Sequence, residues 1–430
     1  MRDLVQKLNN LRVKYGAAEA LRLLARFALR EAEAWRGPRR KDRGALSALL
    51  NEIRAGEYER VVLRRGSFGW DTPLVQRAQQ LARAMGRRGC LVLYEAAPPH
   101  DRVRGARKLG EGLWLVNFRS PRLRARIEET VETSGKPRYL MIGSPESRVG
   151  PRRIRRREAR GWVFLYDYID AISGEISGGA RPPRGTLALY RHAMRDSGCV
   201  IAASSLALRR DAAAHGRAAL LVENGVDCAH FSRPGPCPED AAFRALLRRG
   251  KPIVCYYGAL ARWLDYAALR AIAADGRFTL LLLGVKYDGS FDGELAGREN
   301  VAFLGAKPYP VLKDYAARCD VLLIPFRRGA VGDAASPVKL FEYLAIGRPV
   351  VAGDVAECRR CRSALIASDA GDYIRCIERA LALGSDGDYL AAEREEARAA
   401  DWLCRAETLC AALRRRERNE TENGAEFTFF

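Results

Sequence analysis

SPVKLFEYLAIGRPVV, residues 336–351, reads as a helix with both ends marked, followed by a buried strand. The hydroxyl of Ser336 suits an N-cap, where it accepts from a backbone N–H that the helix leaves unpaired. Pro337 suits the first helical position, which needs no N–H. Gly347 suits the left-handed position after the last turn, and Pro349 forbids continuation. Lys339 is out of place in such a helix. It stands in the first turn, at the positive end of the helix dipole, where a cation is disfavoured by roughly 0.3–1 kcal/mol. A bound anion reverses that cost, because a helix start already offers unpaired N–H groups and the lysine adds a full charge. Glu342 follows one turn later on the same face, placed to accept from the two hydroxyls of a ribose. A lysine for phosphate and a carboxylate for ribose point to a nucleotide. The same residues also fit a capped amphipathic helix whose charged face is simply solvated.

Upstream, CDVLLIPFRRG (319–329) is an apolar strand ending in a loop that leads to this helix, and GRPVV follows as the next strand. Strand, loop, helix, strand is the grammar of a parallel sheet, whose ligands sit at the carboxyl ends of strands. YYGALARWLDYAAL (256–269), LLLLGV (280–285), NVAFLGAKPYPVL (300–312), CDVLLIPF (319–326) and the 336–351 stretch follow one another over about a hundred residues. In that order they resemble the nucleotide-binding half of GT-B glycosyltransferases. They look most similar to the group 1, family 4-like enzymes of bacterial surface-polysaccharide assembly, including the teichuronic-acid type. The resemblance implies an α/β protein of two Rossmann-like domains facing across a cleft, with C-terminal helices packing back on the first domain.

Composition agrees with a two-domain globular chain: 430 residues, 48% hydrophobic and 29% charged, enough for two cores. MRDLVQKLNN is polar and lacks the apolar region of a secretory signal, and no run of about 18 apolar residues offers a membrane span. Eleven scattered cysteines suit a reducing compartment. Cys358 and Cys361 form a lone C-x-x-C without histidines nearby, which argues against a metal site.

The net charge of +21 is unevenly placed. Residues 1–160 hold 37 Lys+Arg against 17 Asp+Glu, a net of +20, and the remainder hold 36 against 35. The first part is therefore a basic surface that expects an anionic partner: an anionic membrane, a phosphorylated lipid acceptor or nucleic acid. Its densest clusters are 36–43 and 152–160. No nucleic-acid motif occurs there and aromatics do not interleave with the basic runs, which argues against nucleic acid.

Alternating strand and helix patterns begin at YERVVLRRG (58–66) and run to 368, broken by the basic run 149–161, read as an exposed loop or short helix, and by FSRPGPCPED (231–240), read as a linker. These signals predict a helical extension over 1–57, a first Rossmann-like acceptor domain over 58–235 and a nucleotide-sugar domain over 250–369. C-terminal helices follow over 370–418, and the tail 419–430 shows no pattern. Asp386 and Asp388 form an Asp-x-Asp between helical segments, with Asp388 read as an N-cap rather than a metal ligand.

The resemblance assigns roles residue by residue. Lys339 falls on the diphosphate and Glu342 on the ribose, with Ser336 placed beside them among the donor nucleotide-binding residues. The family's earlier acidic residue, eight positions before Glu342, is replaced here by Ala334. Gly258, at the end of its strand, allows a phosphate to approach the backbone, with Arg262 either adding charge or lying on the surface. Asp265 stands where the family often has a basic residue. Lys307 and Tyr309 lie in the loop that borders the nucleobase in the family, or in an ordinary turn. Asp170 is the candidate general base, with Asp167 the alternative three residues earlier; both also fit loop-capping carboxylates. Gly66, Gly69 and Gly225 are placed on the acceptor side, Gly225 as a tight turn. The implied donor is a UDP- or GDP-linked sugar used as co-substrate, with no cofactor and no required metal, the leaving diphosphate being met by the helix dipole and Lys339. The implied acceptor is a glycan or polyprenyl-linked glycan. The expected setting is cytoplasmic, on the inner face of the cell membrane. A catalytically silent glycan-binding protein on the same fold is the other reading that the missing acidic residue allows.

Overall fold

A computed structural model describes residues 22, 25, 28, 29, 32–35, 37–66, 68–72, 75–98, 100–146, 148–172, 182–329 and 336–426. The expected loop position Ala334 and about half of the 1–57 extension lie outside the described residues.

Two sheets organise the chain. The first contains β1 (Arg60–Arg65), β2 (Cys90–Glu95), β3 (Ala106–Gly110), β4 (Leu113–Val116), β5 (Arg138–Gly143), β6 (Val163–Tyr168), β7 (Val200–Ala203) and β8 (Leu220–Leu221), in the order β3-β4-β2-β1-β5-β6-β7-β8. β1 runs parallel to β2 and β5, and β2 to β4, whereas β3 is antiparallel to β4. The second contains β9 (Ile253–Tyr257), β10 (Thr279–Leu283), β11 (Val301–Phe303), β12 (Val321–Ile324), β13 (Val350–Gly353) and β14 (Leu365–Ala367). Its order is β11-β10-β9-β12-β13-β14, and every neighbouring pair is parallel.

The second sheet explains its own sequence. Parallel strands covered on both faces lose the in–out alternation and read as continuous apolar runs. Every residue of β9, β10, β12 and β13 is buried. Leu280 to Leu283 are at most 1% exposed, and full burial of each such side chain contributes about 1.5–3 kcal/mol. One face packs on Leu340, Tyr343 and Leu344 of the Val338–Ile346 helix, the other on Leu269 and Ile272 of the Tyr266–Ala274 helix.

Several expectations are settled or shift in detail. The basic run is the helix Pro151–Glu158, with Pro151 in its first turn and Ile154 and Arg157 buried. The final helix runs from Trp402 to Glu426, well into the segment read as a patternless tail. Asp386, not Asp388, caps the Gly387–Ala399 helix, accepting from the N–H groups of Asp388 and Tyr389 at 3.0 Å each.

By compactness the chain divides into residues 1–166, 198–200 and 420–430, and residues 167–197 and 201–419. The boundary falls inside β6, earlier than the proline-rich stretch 231–240, which in the chain follows β8 and precedes β9.

Candidate functional site

The helix that opens the sequence argument spans Val338–Ile346, and Gly347 closes it in the left-handed conformation with φ 73°. Its start differs by one residue from the expectation. Pro337 is the N-cap, and the Ser336 hydroxyl does not cap the helix. It instead accepts from the backbone N–H of Asn224 at 3.2 Å, while the Asn224 amide donates to the Ser336 carbonyl at 2.6 Å. Asn224 is buried, so these two bonds fix the loop end from which the helix springs.

Lys339 and Glu342 lie one turn apart, as read from the sequence. The Lys339 ammonium sits 5.8 Å from the centre of the Tyr256 ring and 5.7 Å from that of Phe326. Among the described residues no carboxylate comes within ion-pair distance of it. Burial lowers its pKa, and the nearby Glu342 charge works against that shift. Two aromatic faces stabilise the cation weakly and leave its three donors for another acceptor.

The stem of that lysine explains Gly258. A Cβ on Gly258 would run into Lys339 Cε and come within 2.7 Å of the Tyr256 hydroxyl. Gly258 also has φ 145°, a backbone conformation side chains disfavour. Its N–H donates to the Leu283 carbonyl at 2.8 Å, and the N–H of Gly284, φ 153°, donates to the Gly305 carbonyl at 2.9 Å. The carboxyl ends of β9, β10 and β11 are thus laced together by glycine backbone, with Gly258 beside the lysine.

Glu342 is 7% exposed and its Oε2 accepts from the Tyr257 hydroxyl at 2.7 Å. Burial raises its pKa, while the Tyr257 hydrogen bond and Lys339 oppose the rise. The Tyr257 ring stands edge-on to Tyr343, centroids 4.8 Å apart, and the Tyr257 N–H donates to the Tyr343 hydroxyl at 3.2 Å. Sequence reasoning missed Tyr257, Tyr343 and Asn224. The two tyrosines are embedded in apolar runs that read as core, and Asn224 lies 112 residues from the serine it holds.

The other candidates fall as follows. Arg262 is exposed, and its backbone N–H donates to Asp288 at 3.0 Å. Asp265 caps the Tyr266–Ala274 helix through the Ala268 N–H, which accounts for an acid at that position. Lys307 pairs with Asp240 at 2.8 Å and lies over the Tyr315 ring, so its ammonium already has a structural partner. Tyr309 stacks on His230, centroids 5.1 Å apart and 13° from parallel. Asp167 lies in β6 at 0% exposure, whereas the strand ends at Tyr168 and Asp170 follows it half-buried. Of the two carboxylates only Asp170 is open to solvent. Gly66 donates its N–H to Glu95 at 3.2 Å, and a Cβ on Gly69 would press on His100 and Thr72 at 3.0 and 3.2 Å. Gly225 is not a left-handed turn; a Cβ there would strike the Ala400 carbonyl and crowd Trp402. Cys361 donates to Glu396 at 2.8 Å.

Residues 251–383 match the family model of group 1 glycosyl transferases. Over 193 residues the chain is 28% identical to "Putative teichuronic acid biosynthesis glycosyltransferase TuaH" of Bacillus subtilis (strain 168), a match over 43% of this chain and 47% of that relative. The chain thus spans about half the length of this curated relative. Among solved structures, sucrose-phosphate synthase from Thermosynechococcus elongatus is similar at TM-score 0.61 and 18% identity, over 83% of this chain and 98% of that one. Anabaena HepE, solved with UDP-glucose, is similar at TM-score 0.54 and 14% identity, over 82% and 99%. At these identities the likeness shows the fold: two parallel-sheet, Rossmann-like domains of the GT-B type.

Proposed function

We propose that this chain, which carries a group 1 glycosyl transferase domain over residues 251–383, moves a sugar from a UDP- or GDP-linked donor to a hydroxyl of a glycan or lipid-linked acceptor. The observation that carries this reading is the pair Lys339 and Glu342. The lysine is half-buried, its ammonium beside two aromatic rings, with no carboxylate in ion-pair range among the described residues. The glutamate one turn on is propped by Tyr257. In this reading Lys339 and the helix start meet the diphosphate, and Glu342 accepts from the ribose hydroxyls. Donor binding belongs to 250–369 and acceptor binding to 58–235.

In the reaction the bond between the sugar C1 and the diphosphate oxygen breaks, and a bond from C1 to the acceptor oxygen forms. The departing diphosphate gains negative charge, which Lys339 and the helix dipole stabilise where it develops. The acceptor hydroxyl loses its proton to Asp170 in an inverting transfer, or to the donor phosphate in a retaining one.

The exposed arginines 152, 153, 155 and 156 of the Pro151–Glu158 helix fit attachment to an anionic membrane face, where a polyprenyl-linked acceptor would lie. Each basic residue near such a surface contributes about 1 kcal/mol. No helix among the described residues is long and apolar enough to cross a membrane.

A thermal-shift panel of nucleoside diphosphates tests the donor reading. Selective stabilisation by one of them, lost in Lys339→Ala, is the expected result. Equal indifference to all of them would remove its basis.

A further inference from the structure

Beyond β6 the chain builds a pocket whose lining includes neither Lys339 nor Glu342. It encloses about 250 Å³ and is walled by Tyr168, Ala171, Leu187, Tyr190, Ala207 and Asp211, from the end of β6 and the helices Arg184–Arg195 and Leu206–Ala214. That volume is below the roughly 300–1,000 Å³ of drug-sized ligand sites, so it suits one ring-sized group.

The polar groups of this pocket are arranged to accept. Tyr168 and Tyr190 both donate their hydroxyls to one oxygen of Asp211, Oδ2, at 2.8 and 2.7 Å. Burial, then the Asp211 carboxylate, pushes the Tyr190 phenol above its ordinary range, so the hydroxyl stays protonated as a donor. His215 packs edge-on to Tyr190 with ring centroids 5.6 Å apart, and its Nδ1 faces the Asp211 backbone carbonyl at 2.9 Å. Asp211 Oδ1 receives no hydrogen bond from a described residue. With the tyrosine protons already committed, what the pocket offers is carboxylate and phenol lone pairs. Its walls are two tilted phenol rings, centroids 5.8 Å apart, and aliphatic side chains. Acceptors at one end and apolar faces at the sides suit a molecule with hydroxyl donors on its edge and C–H groups on its faces.

We propose that this pocket binds one pyranose ring of the acceptor, with ring hydroxyls donating to Asp211 Oδ1 and the ring faces lying against Tyr168 and Tyr190. The proposal rests on the glycosyltransferase reading and deepens it. Ala171, a wall of the pocket, directly follows Asp170 in the chain, so a sugar held here is delivered beside the proposed base.

The test uses the full chain and a panel of methyl hexopyranosides, with binding read by saturation-transfer NMR and nucleoside diphosphate affinity read in parallel by calorimetry. Ala207→Phe fills the pocket without touching its polar groups, and Asp211→Asn removes the charge while keeping the shape. At least one glycoside should bind the wild-type chain. Its affinity should fall about ten-fold or more in both variants, as loss of a charged hydrogen bond or of the cavity requires. Nucleoside diphosphate affinity should be unchanged. Binding of no glycoside, or equal binding in Ala207→Phe and wild type, overturns the proposal. Binding of no nucleoside diphosphate by the wild-type chain would instead overturn the donor reading, independently of the pocket.

Discussion

Lys339 occupies the space that a side chain at Gly258 would need. The strand end and the helix start are therefore matched: one lacks a side chain so that the other can lay its stem across. Gly258→Ala should displace the ammonium from its place over Tyr256 and Phe326, lowering nucleoside diphosphate affinity by about ten-fold or more. The positive φ adds a folding cost of about 1 kcal/mol or more. Calorimetry and thermal unfolding on one sample separate the two effects.

Lys339→Ala and Glu342→Ala should each weaken nucleoside diphosphate binding by about 1.5–3 kcal/mol, roughly ten- to a hundred-fold, the loss of a charged contact. Tyr257→Phe, which removes the donor to Glu342 Oε2, should cost less than Glu342→Ala. Unchanged affinity in all three variants would leave the helix as a structural element only.

Asp170→Asn should preserve donor binding and lower turnover by about a hundred-fold or more in an inverting enzyme, as loss of a general base does. Asp167→Asn alters a fully buried group and should act first on stability, measured as a fall in melting temperature. A larger turnover loss at Asp167 than at Asp170, with stability intact, would reverse the assignment.

Glu393 carries a pH dependence of folding. It is 0% exposed, and the hydroxyl of its neighbour Tyr389 donates to the Ser363 carbonyl at 2.5 Å rather than squarely to the carboxylate. Burial pushes its pKa from 4.5 up to about 8. A folded pKa above the unfolded one means that the native state holds the proton more tightly. The stabilising contribution is complete below about pH 4.5 and is lost as pH rises through about 8, at up to roughly 1.4 kcal/mol per pH unit. Glu393→Gln should flatten that slope in urea melts between pH 5 and 8. An unchanged slope would mean that other groups set it.

Attachment to anionic vesicles should weaken with salt and fall when Arg152, Arg153, Arg155 and Arg156 become Ser together. Arg157 is excluded from this set because it is buried and paired with Glu128 at 2.5 Å. Losing it would leave a buried carboxylate unpaired and would destabilise the protein for an unrelated reason. Equal sedimentation with neutral vesicles would reject the electrostatic account.

The parts of the fold legible in the sequence are those written locally. The parallel strands announced themselves as apolar runs, and Gly347 with Pro349 marked the helix end where it lies. β3 was missed because ARKLG is a mostly exposed, largely polar edge strand without an alternating pattern. In the candidate site, Lys339 and Glu342 were readable because helical spacing places them on one face. Tyr257, which props Glu342 from 85 residues away, was not, because nothing in a tyrosine inside an apolar strand says which way its hydroxyl points. Ser336 looked like a cap for a sound local reason and was claimed by Asn224 for a non-local one.

The clasp between Asn224 and Ser336 bears on how far this protein can be cut down. A truncated chain beginning at residue 250 would retain every strand of the second sheet and both Lys339 and Glu342. It would lose the two hydrogen bonds on Ser336 and the Asn224 carbonyl that accepts from Arg405 at 3.1 Å. The parallel bridge between Val226 and Asp401 would go as well. The Trp402–Glu426 helix and the start of the Val338–Ile346 helix would each be left with unpaired groups. Residues 222–228 thus act as a fastener for elements far downstream, and a shortened donor-binding fragment needs to begin ahead of them.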